Sequence, residues 1–503
     1  MRLKNSSYNV FFNIIQLSII TILTFVTRTF FIRYLGKEML GLDGLFTNIL
    51  SMLSLTDLGI GTAISFSLYK PLAEKDKEKI SALMTLYKKI YRVVALVVLI
   101  IGLCLIPALP FFSKGYTGNN LYIFYLLYLF NTVFSYLLVY KETLIIADQN
   151  NYKLFWNKLL FIIIMYTSQI IILIKLHSFV LYLITMLISN LLRNLVNNIY
   201  ITHMYRNIEF NSTKRINKKE TDIIVQNAKN MLVSKIGDYL LNGTDNIIIS
   251  AIDITLTGIY SNYLSIVGVM KTFINAIYNG VTASFGNVVA TESKNVQENI
   301  FKVSTFICFL ISGFITLELI FLFNPFIRIW AGPDYLVSFR LVIVIALNFY
   351  FYSNHVSLNS MKIASGKYKA DRFIPIIQAV VNLFVSIVLG YHIGLAGVVL
   401  GTLISYITIG FIFRPMLLIR NIFNKSSFDY FYNQAKYIFV LLVVFSVNVV
   451  LYNYVMLDSN IFSILIKAFI VFITYAVVII IGFRNDKSFK YVVDLIKNKF
   501  IKE

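Results

Sequence analysis

Apolar runs of about 20 residues recur along the whole chain, and short polar stretches separate them. A helix of that length, rising about 1.5 Å per residue, crosses a hydrocarbon core roughly 30 Å thick. The pattern therefore predicts an all-α polytopic membrane protein with about 14 transmembrane helices. The predicted helices cover residues 10–34, 41–69, 89–112, 120–147, 154–176, 178–203, 228–252, 256–290, 298–324, 339–364, 373–392, 394–416, 433–457 and 462–484.

A weak internal repeat emerges when the sequence is shifted along itself by about 217 residues. Residues 28–41 then lie over residues 245–258, so that Gly41 aligns with Gly258. The shift pairs spans one and two with spans seven and eight, and it predicts two pseudo-symmetric six-helix lobes. The predicted parts are an N-terminal lobe at 1–203, a cytoplasmic connector at 204–229, a second lobe at 230–416, and two helices with a cytoplasmic tail at 417–503.

Charge supports the same topology. The 503 residues are 58% hydrophobic and 14% charged, which is far too apolar for a soluble chain of this size. A formal charge of +21 could indicate nucleic-acid binding, but most of the 45 Lys and Arg residues fall in alternate loops. This bias follows the positive-inside rule and predicts two cytoplasmic termini, contact with anionic lipids and no nucleic-acid partner.

Polar side chains recur at helical spacing inside several apolar runs. Charged groups in the middle of a bilayer cost a few kcal/mol each, so we expect these stripes to face a common water-filled cavity. Snorkelling to the membrane surface is the alternative for Arg28 and Arg193, and a structural ion pair with Lys235 is the alternative for Asp238. The candidate binding residues are Arg28, Arg193, Lys271, Asn190, Asn242, Asn275, Asn279 and Asn348, and the candidate ion-coupling acids are Asp57, Asp238 and Asp245.

The sequence has no motif typical of nucleotide binding, metal binding or catalysis. The chain has no phosphate-binding loop, no metal-ligand spacing among its four His residues, and no pattern typical of a catalytic triad. Its two Cys residues, Cys104 and Cys308, both fall inside apolar runs. We therefore expect a transporter without an enzymatic activity, a cofactor or a metal site.

Two stretches, LGLDGLFTNIL at residues 40–50 and LTDLGIGTAI at residues 55–64, resemble the Wzx-type polysaccharide flippases. These belong to the MOP superfamily, together with the MATE exporters and the peptidoglycan-precursor flippases. The resemblance implies flipping of undecaprenyl-diphosphate-linked oligosaccharides from the inner to the outer leaflet of a bacterial cytoplasmic membrane, for capsule, O-antigen or exopolysaccharide synthesis. It also implies alternating access and, as partners, a polysaccharide polymerase and chain-length machinery.

The polar stripes suit such a substrate. Arginine and lysine would attract the diphosphate, asparagine amides would bind sugar hydroxyls, and the acids would couple transport to a proton or sodium gradient. Two alternatives stay open. A MATE-type cation or drug antiporter would have mainly acidic groups in its cavity, and a membrane glycosyltransferase or polymerase would need a large outer loop with catalytic acids. The longest predicted outer loop, about residues 325–338, has Asp334 as its one acid.

Overall fold

All regular structure in the described part of the chain is helical. Twelve helices there are long and apolar enough to cross a membrane, which confirms the all-α polytopic fold. The predicted seventh span, 228–252, falls only partly on described residues, of which 243–252 are helical. The computed structural model describes residues 2–53, 60–213, 216–217, 221–222, 226, 240, 243–367, 370–454 and 460–500.

The chain divides into two compact units, Met1–Gly258 and Ile259–Glu503. The predicted lobe limits at 203 and 230 stay a prediction. The first unit contains α1 (Arg2–Leu53), α2 (Ile60–Glu74), α3 (Lys77–Cys104), α4 (Leu121–Val139), α5 (Glu142–Ala147), α6 (Phe155–Leu176) and α7 (Phe179–Met204), with helical turns at Ile106–Ala108, Leu109–Phe112 and Asn151–Leu154.

Helix α8 (Ile254–Thr291) begins at the end of the first unit and continues into the second. The second unit then contains α9 (Lys294–Trp330), a turn at Pro333–Tyr335, α10 (Phe339–Ala364), α11 (Ile374–Ile393), α12 (Leu395–Phe423), α13 (Phe428–Tyr454), α14 (Ile461–Phe483) and α15 (Lys487–Phe500). Helix α12 is wound as a π-helix between Tyr406 and Phe413.

The first predicted span and the start of the second, up to Leu53, are joined in one helix that kinks at Gly36, whereas residues 60–69 of the second span lie in α2. This glycine has φ 76° and ψ −173°, a backbone conformation that side chains with a Cβ rarely adopt. The kink ends one arm of α1 and starts the next, so the predicted break between residues 34 and 41 is a sharp bend rather than a loop.

Two glycines allow the second arm of α1 to touch the start of α8. A Cβ at Gly41 would overlap the backbone oxygen of Ile254, and a Cβ at Gly258 would overlap that of Lys37. Each glycine thus packs against the residue four positions before the other. Small residues allow such close helix contact in membranes, and the reciprocity matches the repeat register in which Gly41 aligns with Gly258.

Large side chains from four helices fill a core in the second unit. Phe285 of α8, Phe301 of α9, Met361 of α10 and Leu418 of α12 are all buried there. In a membrane this packing stabilises helix contacts by van der Waals attraction, because lipid tails are as apolar as the side chains.

Candidate functional site

An acid and a base lie together on the two arms of α1. Asp43 Oδ1 accepts a hydrogen bond from the Tyr128 hydroxyl of α4, and the Arg28 guanidinium is close enough to attract the Asp43 carboxylate. Tyr182 of α7 is near both charges. Arg28 was a candidate from the sequence, whereas Asp43 was missed, although it stands in the stretch that carries the family resemblance. An acid inside an apolar run was the signal that could have identified it.

Arg193 of α7 lies in a second polar network of the same unit. Its charge is close to Glu142, at the start of α5. Glu142 also pairs with Lys158 Nζ of α6 at 2.8 Å and accepts a hydrogen bond of 2.6 Å from Asn197 Nδ2. Two cations therefore share one carboxylate, and this network ties α5, α6 and α7 together.

Neutral polar groups extend the first unit's polar interior. Asn190 Nδ2 of α7 donates to Asn131 Oδ1 of α4 at 3.0 Å. The hydroxyls of Thr24 and Tyr166 are 2.7 Å apart and join α1 to α6. Asn190 is thus engaged with a neighbouring helix, as a stripe facing the inside of a helical bundle requires.

In the second unit, two predicted stripes meet at one tyrosine. Lys271 Nζ of α8 is 4.3 Å from the ring centroid of Tyr352, and Asn275 Nδ2 donates to the Tyr352 hydroxyl at 2.9 Å. Tyr406, the first residue of the π-helical turn in α12, packs edge-on against Tyr352 with 6.4 Å between ring centroids. Lys271 and Asn275 were candidates from the sequence, and the structure brings both of them to Tyr352 of α10.

The remaining sequence candidates are dispersed. Asn348 Nδ2 donates to the Val399 carbonyl at 3.0 Å, so this amide holds α12 against α10. Asn279 is exposed, and Asp245 is buried within the helical residues 243–252. Asn242, Asp57 and Asp238 lie outside the described residues.

A buried ion cluster joins α10 and α12 in the second unit. The side chain of Asp371 is 2% exposed, and its Oδ2 lies 2.8 Å from Arg414 Nε and 3.2 Å from Lys362 Nζ. Arg414 also donates to Asn359 Oδ1 at 3.3 Å. The sequence does not predict this cluster, since Asp371 and Arg414 are 43 positions apart.

The chemistry available is binding by charge, amides and aromatic rings. One unit offers Arg28 with the Asp43 carboxylate and two tyrosines, and the other offers Lys271 with an amide and two tyrosines. Among the described residues, no three His, Cys, Asp or Glu side chains converge as metal ligands. The common cavity that the sequence predicts stays a prediction.

In sequence, a family model described as "Polysaccharide biosynthesis protein" matches residues 6–285. No curated protein sequence matches the chain.

In structure, the chain is similar to lipid II flippase MurJ in an inward closed conformation, with a TM-score of 0.67 and 18% identity, covering 95% of this chain and 99% of that one. An inward-facing multidrug resistance MATE family transporter of the MOP superfamily matches with a TM-score of 0.63 and 15% identity, over 80% and 98% of the two chains. A MOP superfamily transporter from Pyrococcus furiosus matches with a TM-score of 0.51 and 14% identity, over 84% and 97%. At these identities the likeness shows a shared fold.

Proposed function

The chain belongs to the polysaccharide biosynthesis protein family and has the fold of MOP transporters, and from this premise we propose that it flips lipid-linked oligosaccharides. The resemblance predicted from the sequence is thereby confirmed at the level of family and fold. The proposed substrate is an undecaprenyl-diphosphate oligosaccharide, which moves from the inner to the outer leaflet by alternating access.

The observation that carries this proposal is a cation beside tyrosines within a membrane span of each unit. Arg28 lies near Tyr182, and Lys271 lies over Tyr352 beside the Asn275 amide. A diphosphate requires cations, which bind its oxygens by charge-assisted hydrogen bonds, and sugars require amides and aromatic faces. The cations and the amide are residues that the sequence predicted, whereas the two tyrosines come from the structure.

The roles follow from the neighbours of each group. We assign the diphosphate to Arg28 and Lys271, and sugar hydroxyls to Asn275 with Tyr352. Arg193, which shares Glu142 with Lys158, is assigned to positioning of α7 in place of direct contact with substrate. Asp43 joins Asp57, Asp238 and Asp245 as a candidate for coupling to a proton or sodium gradient.

Transport by charge-removing variants tests the assignment. Purified protein is reconstituted in liposomes with a fluorescent polyprenyl-diphosphate oligosaccharide, and the rate of its appearance in the opposite leaflet is measured for Arg28→Ala and Lys271→Ala. We expect each rate to fall at least about tenfold, which corresponds to about 1.4 kcal/mol of lost stabilisation.

The control is Lys467→Ala in α14, because Lys467 Nζ also lies over a tyrosine ring, that of Tyr452 at 5.7 Å. It should flip at the wild-type rate. Equal loss in all three variants, or no loss in Arg28→Ala and Lys271→Ala, would contradict the assignment.

A second candidate function is export of organic cations. The observation in its favour is the Asp43 carboxylate inside the first unit, since cation exporters need acidic groups in the membrane. Arg28 lies beside this carboxylate and is evidence against cation export, because its positive charge disfavours binding of a cationic ligand. Efflux of an organic cation from loaded vesicles, lost in Asp43→Asn, would favour the exporter.

A further inference from the structure

Basic side chains gather where α3 and the α4–α5 junction meet the chain that follows α7. Lys88 Nζ of α3 donates to Asn211 Oδ1 at 2.6 Å. Lys141, between α4 and α5, donates to Thr202 Oγ1 at 2.6 Å and lies 4.4 Å from the ring centroid of Phe210. Arg92 stands one helical turn after Lys88, so three cations share this part of the first unit.

The segment at residues 205–213 is fastened over these cations by its backbone. The amide of Glu209 donates to Ser81 Oγ, and the amide of Ser212 donates to Thr85 Oγ1, both at 3.0 Å. These two bonds flank Phe210 and Asn211, and they fix both side chains against Lys141 and Lys88. The cations therefore occupy a built environment rather than a freely solvated loop.

The positive charges in this cluster are not neutralised by acidic side chains. Lys141 is only 9% exposed, and burial together with the charge of Lys88 lowers its pKa. The guanidinium of Arg92 in turn is close enough to repel the Lys88 ammonium. In the part of the chain that the structure describes, no carboxylate forms an ion pair with any of the three cations. Glu142, next to Lys141 in sequence, pairs with Lys158 instead, and Glu209 is exposed.

A buried ammonium with like charges around it is costly unless an anion neutralises it. Lys141 is buried, Lys88 is partly buried and Arg92 is exposed. Their N–H donors, including the forked guanidinium of Arg92, match the oxygens of a phosphate group. We therefore expect a phosphate-bearing anion to neutralise these three cations.

The surroundings identify the source of that phosphate. Arg92, Leu96 and Ile100 follow each other at four-residue spacing along α3, and Leu96 and Ile100 are 55% and 51% exposed. An apolar strip thus leads directly away from the cationic end, as the acyl chains of a membrane lipid lead away from its headgroup. The side of the membrane is the one that the distribution of basic residues predicts to be cytoplasmic, where anionic lipids contact such groups.

We propose that Lys88, Arg92 and Lys141 form a binding site for the phosphate of an anionic phospholipid, with Asn211 and Phe210 closing over the headgroup. The site lies within one unit and does not depend on the flipping activity. Because Asn211 and Phe210 belong to the segment that leads toward the second unit, an occupied site would hold that segment on α3.

Binding of a defined lipid tests the site. The full-length protein in a neutral detergent is titrated with short-chain phosphatidylglycerol, and the dissociation constant is measured by native mass spectrometry. We expect wild type to bind phosphatidylglycerol, and Lys88→Gln and Lys141→Gln to weaken binding by about tenfold, since each removes one charge-assisted bond. Lys89→Gln is the matched control, because Lys89 is the exposed neighbour on α3 and loses the same charge. It should change the constant less than about twofold.

The thermal midpoint of the lipid-free protein separates binding from a structural role. If the role of Lys141 is to bind the lipid, Lys141→Gln relieves the repulsion between Lys141 and Lys88. The thermal midpoint of unfolding is then unchanged or higher. A marked drop would mean that Lys141 stabilises the fold, and it would overturn the proposal for this residue. Equal binding of phosphatidylcholine, equal loss in Lys89→Gln, or equally tight binding of inorganic phosphate or pyrophosphate would overturn the lipid site.

Discussion

At the scale of single residues, the charged groups inside this protein are arranged in small sets, each built around one carboxylate. Asp43 is shared between Arg28 and Tyr128, Glu142 between two cations, and Asp371 between two more. Each carboxylate therefore holds several helices, and removing one of them leaves a partly buried positive charge without its counter-ion.

Asp43 is the acid for which we expect an effect on transport. Asp43→Asn keeps the size of the side chain and an oxygen for the Tyr128 hydrogen bond, but removes the charge that attracts Arg28. We expect the flipping rate to fall about tenfold while the protein still folds. Tyr128→Phe is the comparison: it keeps the charge and loses about 1 kcal/mol of hydrogen bonding. A slower rate in Tyr128→Phe than in Asp43→Asn would contradict this role.

Asp371 is the acid for which we expect an effect on stability. Asp371→Asn leaves Lys362 and Arg414, whose side chains are 12% and 13% exposed, without their shared carboxylate. Breaking a buried ion pair in this way costs about 3–5 kcal/mol, measured as a lower midpoint of unfolding in detergent.

The control for Asp371 is Glu74→Gln, which breaks an exposed pair with Lys70 at 3.7 Å. It should cost less than about 0.5 kcal/mol. Similar losses in the two variants would mean that burial does not set the strength of the Asp371 cluster.

Helices were the part of the structure that the sequence predicted best. Apolar length located α6, α7, α10 and α11 to within about one residue at each end, because a span must match the membrane thickness. The prediction was less accurate for α3, which begins at Lys77 although its span was predicted to start at residue 89. Helical spacing also placed Lys271 and Asn275 on one face of α8. The spacing could not reveal contacts between distant segments, such as Asp371 with Arg414, since these depend on how helices pack. The bend at Gly36 was read as a loop because a glycine at positive φ interrupts the helix without ending it.

The reciprocal glycine contact provides a test at the scale of helices. Gly41→Ala and Gly258→Ala add a Cβ that overlaps a backbone oxygen of the facing helix, so the helices must separate. We expect each variant to lower the free energy of unfolding by about 3 kcal/mol. The control is Gly268→Ala in α8, where the added Cβ meets nothing within 4 Å. It should be neutral or stabilising, because alanine is the better helix former by about 1 kcal/mol. Stable Gly41 and Gly258 variants would mean that the contact is dispensable.

At the scale of the whole molecule, two units each contain a cationic and aromatic site within their membrane spans. The first has Arg28 with Tyr128 and Tyr182 nearby, and the second has Lys271 with Tyr352. The chain belongs to a family of polysaccharide biosynthesis proteins and has a transporter fold, and on the function proposed above both sites would bind the anionic headgroup and sugars of a lipid-linked oligosaccharide.

The most direct test of that purpose is flipping by the wild-type protein. Proteoliposomes and protein-free liposomes receive the same fluorescent undecaprenyl-diphosphate oligosaccharide, and the fraction accessible to an external quencher is followed over time. We predict that the accessible fraction changes in a protein-dependent way, and that undecaprenyl-diphosphate oligosaccharide without a label slows the change by competition. The contradicting result is a flipping rate equal to that of protein-free liposomes, obtained with protein that exports an organic cation in the same vesicles. That result would support the exporter.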